Sequence, residues 1–389
     1  MDPSFGHPTI WFLASWWPNR VNPLNGNFIQ GHAKAVGPYV RLAVGNVQAD
    51  AQLPVGKISI AVSEAPEYTE HIVYYGKGEI GLINIVNRLK AYIKLIRLLH
   101  RRVGTPDLVH ANVIYDSGIF AFALKVLRNY RYVLSEHSTR FVPPNRLSIG
   151  RRLIARLVCR GAEIVLPVSE YLQERMRDYV GDVVKFKVVS NVVDTEVFRY
   201  EAGRRKRDRR KLRVLHVSNF KDSQKNMVGM IRTFAMVAKD CPGQIQFVIA
   251  GDGDKKLVKA WIAAQNAPDF DVSVSGSHTD FEIAALMQAA DVFVLFSNFE
   301  TQGVVLLEAL CTGLPCIAAH VGPIPEIIQS GVNGFLVEAG HQAKLQVALA
   351  KFVTEEQSFN NTDIAAAAAT SYGIRNIGND IFRVYKAYI

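Results

Sequence analysis

The sequence predicts an α/β protein in two domains, and three observations carry that expectation. The run Asp291-Val-Phe-Val-Leu-Phe296 is apolar after its first residue and has the length of a buried parallel strand; Ser297 and Asn298 close it as turn formers. Gly303 then opens an apolar, helix-forming run, Val304 to Leu310, which Gly313 and Pro315 end, and Pro315 to Ala319 reads as the next strand. At 389 residues the chain exceeds one ordinary core, and 49% hydrophobic with 21% charged residues is the balance of a globular α/β protein.

The strand–loop–helix–strand segment carries two carboxylates, Glu300 in the loop and Glu308 a little over a turn into the helix. A loop at the carboxyl end of a parallel strand is where α/β proteins place ligands. Backbone N–H groups near Gly303, Val304 and Val305 suit a diphosphate, and Glu308 can accept hydrogen bonds from ribose hydroxyls. A Glu early in a helix also simply complements the dipole, so the pair argues more than either alone. Glu300, seven residues, then Glu308, with Gly303 between and Gly313-Leu-Pro315 after, resembles the nucleotide-sugar site of GT-B glycosyltransferases of the retaining, family-4 type. Thr301 and Gln302 depart from that family's usual Gly and aromatic beside the sugar.

The bulk numbers narrow the class. No apolar run is long enough to span a bilayer; Ile10 to Trp17 is too short and ends at Pro18, and no signal peptide is expected. Cys159, Cys241, Cys311 and Cys316 make no ligand spacing and read as reduced thiols of a cytoplasmic protein. A net charge of +10 implies an anionic partner: nucleic acid, anionic lipid or a phosphorylated substrate.

In order along the chain, Ile10 to Ala14 is the first strand. A loop containing Gly26 and Asn27 follows, then a helix from Phe28 to Val36. The resemblance implies that this loop approaches donor and acceptor. Val40 to Val44 and Ile58 to Val62 read as short strands. Residues 80–103 form a long helix with Leu82, Val86, Leu89, Ile93 and Ile96 on one apolar face and Lys90, Lys94, Arg97 and Arg101 beside it. The ordinary reading is a core stripe next to a solvated basic face; the sharper one is a helix lying on an anionic membrane. Ile149 to Gly161 is a second basic amphipathic helix. The strand at 107–110 ends in polar residues, among them His110, and is expected to meet the acceptor. Glu136-His137-Ser138 resembles the family's E-H-(G/S) element, which implies that His137 lies beside the donor sugar. Ile164 to Ser169 and Ser190 to Phe198 resemble the family's last N-domain unit and its crossover.

The charge run inside 201–211 reads as a solvated basic linker; it lacks the interleaved aromatics of a nucleic-acid stripe, so no nucleic-acid partner is expected. After the strand Val214 to Val217, Ser218-Asn219-Phe220-Lys221 and Lys225 stand where the family has its Arg and Lys for the diphosphate. Lys225 matches, and the neutral Asn219 replaces Arg. Gly251-Asp-Gly253 resembles the family's tight turn. Asp252 and Asp254 have DxD spacing but read as turn residues rather than metal ligands. Pro323 departs from the family's second Gly at 322–326, while Gly331 to Val337 matches its turn-and-strand element.

The resemblance implies two Rossmann-like domains facing across a cleft: 1–200, a linker at 201–212, and 213–373, with a helix at 374–389 packing back on the first. It implies a retaining transfer from a nucleotide sugar, UDP-linked, to a hydroxyl of a glycan or lipid-linked glycan, with no cofactor and no metal. Glu300 and His137 address the sugar. Ser218, Asn219, Lys225, Gly251, Gly303, Val304, Val305 and Glu308 hold the nucleotide. Gly26, Asn27 and His110 meet the acceptor. Expected partners are the nucleotide sugar, the acceptor and an anionic membrane surface, with the protein cytoplasmic and peripheral on the inner face of the cell membrane. The alternatives are a nucleotide-sugar epimerase on the same fold and a catalytically silent nucleotide-binding subunit.

Overall fold

The computed structural model describes residues 6–144, 146–203, 211–354 and 358–389. The chain divides into two compact units: Met1–Val192 together with Ile374–Ile389, and Val193–Gly373. The second begins earlier than the sequence suggests, because Val193 and Phe198 pack into its core and the Val193 N–H donates to Tyr372 O at 2.9 Å. Most of the expected basic linker, 204–210, lies outside the described residues.

The first unit holds β1 (Thr9–Ala14), β2 (Arg41–Asp50), β3 (Ile58–Glu64), β4 (Thr69–Gly76), β5 (Leu108–Asn112), β6 (Tyr132–Glu136) and β7 (Val165–Pro167). Their order is β3-β4-β2-β1-β5-β6-β7, and every pairing is parallel except that of β3 with β4. β1 sits centrally and is apolar on both faces because helices cover both. β4 escapes the sequence reading because it opens on the polar Thr69-Glu70-His71. Helices Asn27–Val36 and Ile374–Lys386 pack together, with Ile377, Ile381 and Tyr385 in the same core as Ile10 and Phe12.

Helix Gly81–Arg102 corrects the expected core stripe. It buries Asn87, Ala91, Tyr92, Leu95 and Leu99, while Leu82, Val86, Leu89 and Ile93 are exposed. The sequence contains two apolar stripes. The inward one includes the small Ala91 and is fixed by Tyr92 stacking on Phe120.

The second unit holds β8 (Leu212–Val217), β9 (Ile245–Ala250), β10 (Val272–Val274), β11 (Val292–Leu295), β12 (Cys316–Ala319) and β13 (Gly334–Val337), parallel throughout in the order β10-β9-β8-β11-β12-β13. Alternation along β11 feeds two cores: Val292 and Val294 point to one side, Phe293 and Leu295 to the other. In both sheets the order in which the chain adds strands switches sides once, between β8 and β11 here and between β1 and β5 in the first unit, with the strands still parallel. Such switch points open a crevice at the carboxyl ends of the strands.

The loops at the first crevice are pinned by Glu136. Its Oε2 accepts from the Ile114 N–H at 2.8 Å, and its Oε1 accepts from the His137 and Ser138 N–H groups at 2.9 and 2.7 Å. Burial pushes this carboxyl above its ordinary value, against the opposing pull of the three N–H groups. A glutamine has one acceptor oxygen, so its NH2 must face at least one of these donors. Glu136→Gln is therefore expected to destabilise the first unit by about 2 kcal/mol, the penalty of an unsatisfied buried donor. A drop of about 4–8 °C in the first thermal transition would register this.

Candidate functional site

The second crevice is built from the loops that follow β8 and β11. Past β8 the chain turns at Ser218, whose Oγ accepts the Phe220 N–H at 3.1 Å. Asn219 is exposed, and its Oδ1 accepts the Lys221 N–H at 3.2 Å. A short helix, Asp222–Lys225, then delivers Lys225. The turn after β9 packs directly on this one: a Cβ at Gly251 would lie 1.6 Å from Ser218 O, so only glycine fits. Asp254 of that turn caps helix Lys255–Ala263 through the N–H groups of Lys256 and Leu257. Among the described residues no group of three or more His, Cys, Asp or Glu side chains is placed to hold a metal ion.

Past β11 the loop delivers Glu300. Its Oε1 accepts from Lys225 Nζ at 2.5 Å and from Ser297 Oγ at 2.8 Å, with both charged side chains largely buried. The two loops are also joined through the backbone, because the Asn298 N–H donates to Gln224 O at 2.7 Å. Below them His216 bridges the strands. Its Nδ1 donates to Val294 O at 2.8 Å, a carbonyl that can only accept, so Nε2 is left to accept from Ser218 Oγ at 2.8 Å. Burial pushes His216 down to about 4, with the charge of Lys225 adding to it, so the ring is neutral. His216 and Ser297 were not singled out from the sequence. A lone His within the apolar β8 and a Ser at the close of β11 were the available signs.

Gly303, in left-handed conformation, starts helix Val304–Cys311, and no side chain caps that end. The N–H groups of Val304 and Val305 thus lie at an uncapped, electropositive terminus. Glu308 follows one turn later, partly buried, and desolvation pushes its carboxyl up to about 8, with Asp280's negative charge acting in the same direction. The structure therefore brings Ser218, Asn219, Lys225, Gly251 and Glu300 to one crevice, on the loops beside the helix that carries Gly303, Val304, Val305 and Glu308.

The first unit has its own polar cluster. Ser15 Oγ, just beyond β1, bonds Asn112 O, Tyr115 O and Ser117 Oγ. Gly26, left-handed, starts helix Asn27–Val36, and Asn27 is exposed. His137 is buried against Phe28 and His32. Its Nδ1 meets Asn191 Oδ1 at 3.1 Å, and its Nε2 has no hydrogen-bond partner among the described residues. Burial holds His137 well below the ordinary histidine value, and the neighbouring His32 acts the same way. His110 departs from its expected place at the acceptor. It is fully enclosed, with Nδ1 on Tyr385 Oη at 2.6 Å and Nε2 on Ser135 Oγ at 2.8 Å, because its position within β5 points it into the core rather than out of the strand end.

Residues 201–369 match the family model described as Glycosyl transferases group 1, and residues 61–197 match the one described as Glycosyltransferase Family 4. N-acetyl-alpha-D-glucosaminyl L-malate synthase of Bacillus anthracis is 25% identical over 66% of this chain and 67% of its own length. Among solved structures, sucrose-phosphate synthase of Thermosynechococcus elongatus aligns over 98% of both chains with a TM-score of 0.78 at 16% identity. Anabaena HepE in complex with UDP and glucose aligns over 98% of this chain and 100% of its own with a TM-score of 0.74 at 20% identity. Two parallel Rossmann-like sheets are thus the architecture of GT-B proteins.

The raised Glu308 carboxyl has a measurable signature. Folded protein holds its proton up to about pH 8, whereas unfolded chain releases it near the ordinary value of 4.5. Stability is therefore lost as pH rises between those values. Without nucleotide, the stability of Glu308→Gln over the native protein is expected to grow by about 2–4 kcal/mol as pH rises from 5 to 9, with no change in the difference below about pH 4. Thermal unfolding across that pH range checks it.

Proposed function

Because the chain belongs to the GT-B glycosyltransferases of the family-4, glycosyl transferases group 1, type, we propose that it moves a sugar from a UDP-sugar to a hydroxyl of a glycan or lipid-linked glycan, with anomeric configuration retained. The observation that carries this reading is the second-unit crevice, where Lys225 forms a buried pair with Glu300, which stands on the loop that leads to an uncapped helix start, one turn ahead of Glu308.

Each group has a role. Lys225 spends one of its three donors on Glu300 and has two left for phosphate oxygens. The Val304 and Val305 N–H groups share the diphosphate charge at the helix terminus. Asn219 supplies a hydrogen bond but no full charge, so Lys225 and the helix terminus take up most of the charge that develops on the leaving group. Glu300, oriented by Lys225 and Ser297, accepts from a hydroxyl of the donor sugar. Glu308 accepts both ribose hydroxyls. The acceptor hydroxyl bonds to the anomeric carbon as the carbon–oxygen bond to phosphate breaks, and its proton passes to the departing phosphate oxygen. No metal or covalent carboxylate enters these steps. Anabaena HepE, whose complexes contain UDP and UDP-glucose, supports the choice of donor nucleotide. The B. anthracis relative, named as an N-acetyl-alpha-D-glucosaminyl L-malate synthase, supports transfer of a sugar to a hydroxyl.

Lys225→Met is expected to lower kcat about 10²-fold and Glu308→Ala to raise the donor KM about tenfold or more. Unchanged turnover in both would remove the site assignment. Conversion of the UDP-sugar with no acceptor present would point to the epimerase instead, and donor binding without turnover on a broad acceptor panel to the silent subunit. The ribose role has a sharper test. Glu308 is mostly protonated at pH 7 and must ionise to accept from two hydroxyls, so binding UDP should release close to one proton. Calorimetry in two buffers of different ionisation enthalpy reads that proton, and Glu308→Gln should abolish it.

A further inference from the structure

We propose that one face of the first unit is a docking surface for an anionic lipid bilayer. Three neighbouring helices make it: Gly81–Arg102, Ile119–Arg128 and Ile149–Gly161. Tyr92 of the first stacks on Phe120 of the second, and the second packs against the third. Together they carry twelve Lys and Arg residues and no Asp or Glu. The whole protein is +10, and these helices hold a large share of its positive charge, the basic run inside 201–211 holding another.

Apolar surface lies beside that charge. In helix Gly81–Arg102, at 100° per residue, Ala91, Leu95 and Leu99 face inward and Leu82, Ile85, Val86, Leu89 and Ile93 form a stripe on the far side. All five are exposed, Leu82 by 71% and Ile85 by 65%. Lys90, Lys94, Arg97 and Arg101 run along one edge of the stripe. On helix Ile149–Gly161 the exposed Ile149, Leu153 and Leu157 recur one turn apart, with Arg151, Arg152 and Arg156 among them. Single exposed leucines are ordinary; a helical row of large aliphatics edged by unbroken positive charge is the pattern of a helix lying in a membrane interface.

The chemistry selects lipid over other partners. A nucleic acid would be met by exposed Tyr, Phe or Trp rings among the cations, and the one such residue of helix Gly81–Arg102, Tyr92, is buried. A second copy of the chain would bring the same cations against each other. A bilayer satisfies both components: the aliphatic stripe sinks roughly 5–10 Å to the acyl boundary while the basic side chains reach the phosphates. Among the described residues no helix is long and apolar enough to cross a membrane, so the contact is with its surface. This surface does not depend on the proposed reaction.

Flotation of the full chain with phosphatidylcholine vesicles, with and without phosphatidylglycerol, tests it. The protein should float with the anionic vesicles at low salt, and about tenfold less with neutral vesicles or at high salt. The triple variants Leu82→Ser/Ile85→Ser/Leu89→Ser and Lys90→Gln/Lys94→Gln/Arg97→Gln should each lose about tenfold or more in vesicle binding. Both should keep native thermal stability and UDP affinity, since all six side chains are exposed and lie outside the donor crevice. Absence of the native protein from anionic vesicles at low salt would overturn the proposal. So would binding untouched by both triple variants, tighter binding to an RNA oligonucleotide than to the vesicles, or a native dimer that the serine variant splits into monomers.

Discussion

The Lys225–Glu300 ion pair is the contact on which the second unit's crevice depends. Its members come from loops 75 residues apart in sequence, after β8 and β11, and they meet because the strand order places those strands side by side at the switch point. A buried pair of this kind is weak evidence for added stability, but removing one member strands the other and costs about 3–5 kcal/mol. Ser297 and the backbone bond from Asn298 to Gln224 hold the loops so that neither charge is left alone. The crevice is thus charged and closed on itself before any ligand arrives. An incoming diphosphate meets a lysine already oriented, at the expense of sharing it with a carboxylate.

The two sheets repeat one plan with different chemistry. In each, the central strand lies beside the parallel strand at which the chain resumes on the other side of the sheet, and a polar cluster sits at their carboxyl ends. In the second unit the cluster is ionic. In the first it is made of hydroxyls, carbonyls and histidines that burial keeps neutral, His32 and His110 among them, pushed down to about 4 and about 3. The buried carboxylate there, Glu136, is consumed by backbone N–H groups. Neutral surroundings suit hydroxyl groups and ionic ones suit phosphates, which agrees with the division of labour proposed for the two units.

What could be read in the sequence followed from how local the information is. The β11 strand, the Gly303 helix start and the Glu300–Glu308 spacing lie within one continuous stretch, so the fold class and family were legible there. Contacts between distant strands were not. His216 matters because Val294 and Ser218 flank it in space, and no spacing rule announces that. His110 looked like a strand-end ligand, but whether a β-strand residue faces crevice or core depends on register with its neighbours. Helix Gly81–Arg102 shows the same limit: hydrophobic periodicity found an apolar stripe, yet the helix has two, and only packing against β2 and β4 decided which one is buried.

The helix Ile374–Lys386 gives the fold an order in time. It belongs to the first unit, where Ile377, Ile381 and Tyr385 complete the core and the Tyr385 hydroxyl meets His110. Those residues leave the ribosome only after all of Val193–Gly373, a continuous stretch able to fold as it emerges. The unit that is translated first is therefore the one that closes last, and throughout synthesis its β1 and Asn27–Val36 layer lacks a wall and is open to chaperones and proteases. A nick near residue 373 would spare the segment before it and damage the unit that starts with β1.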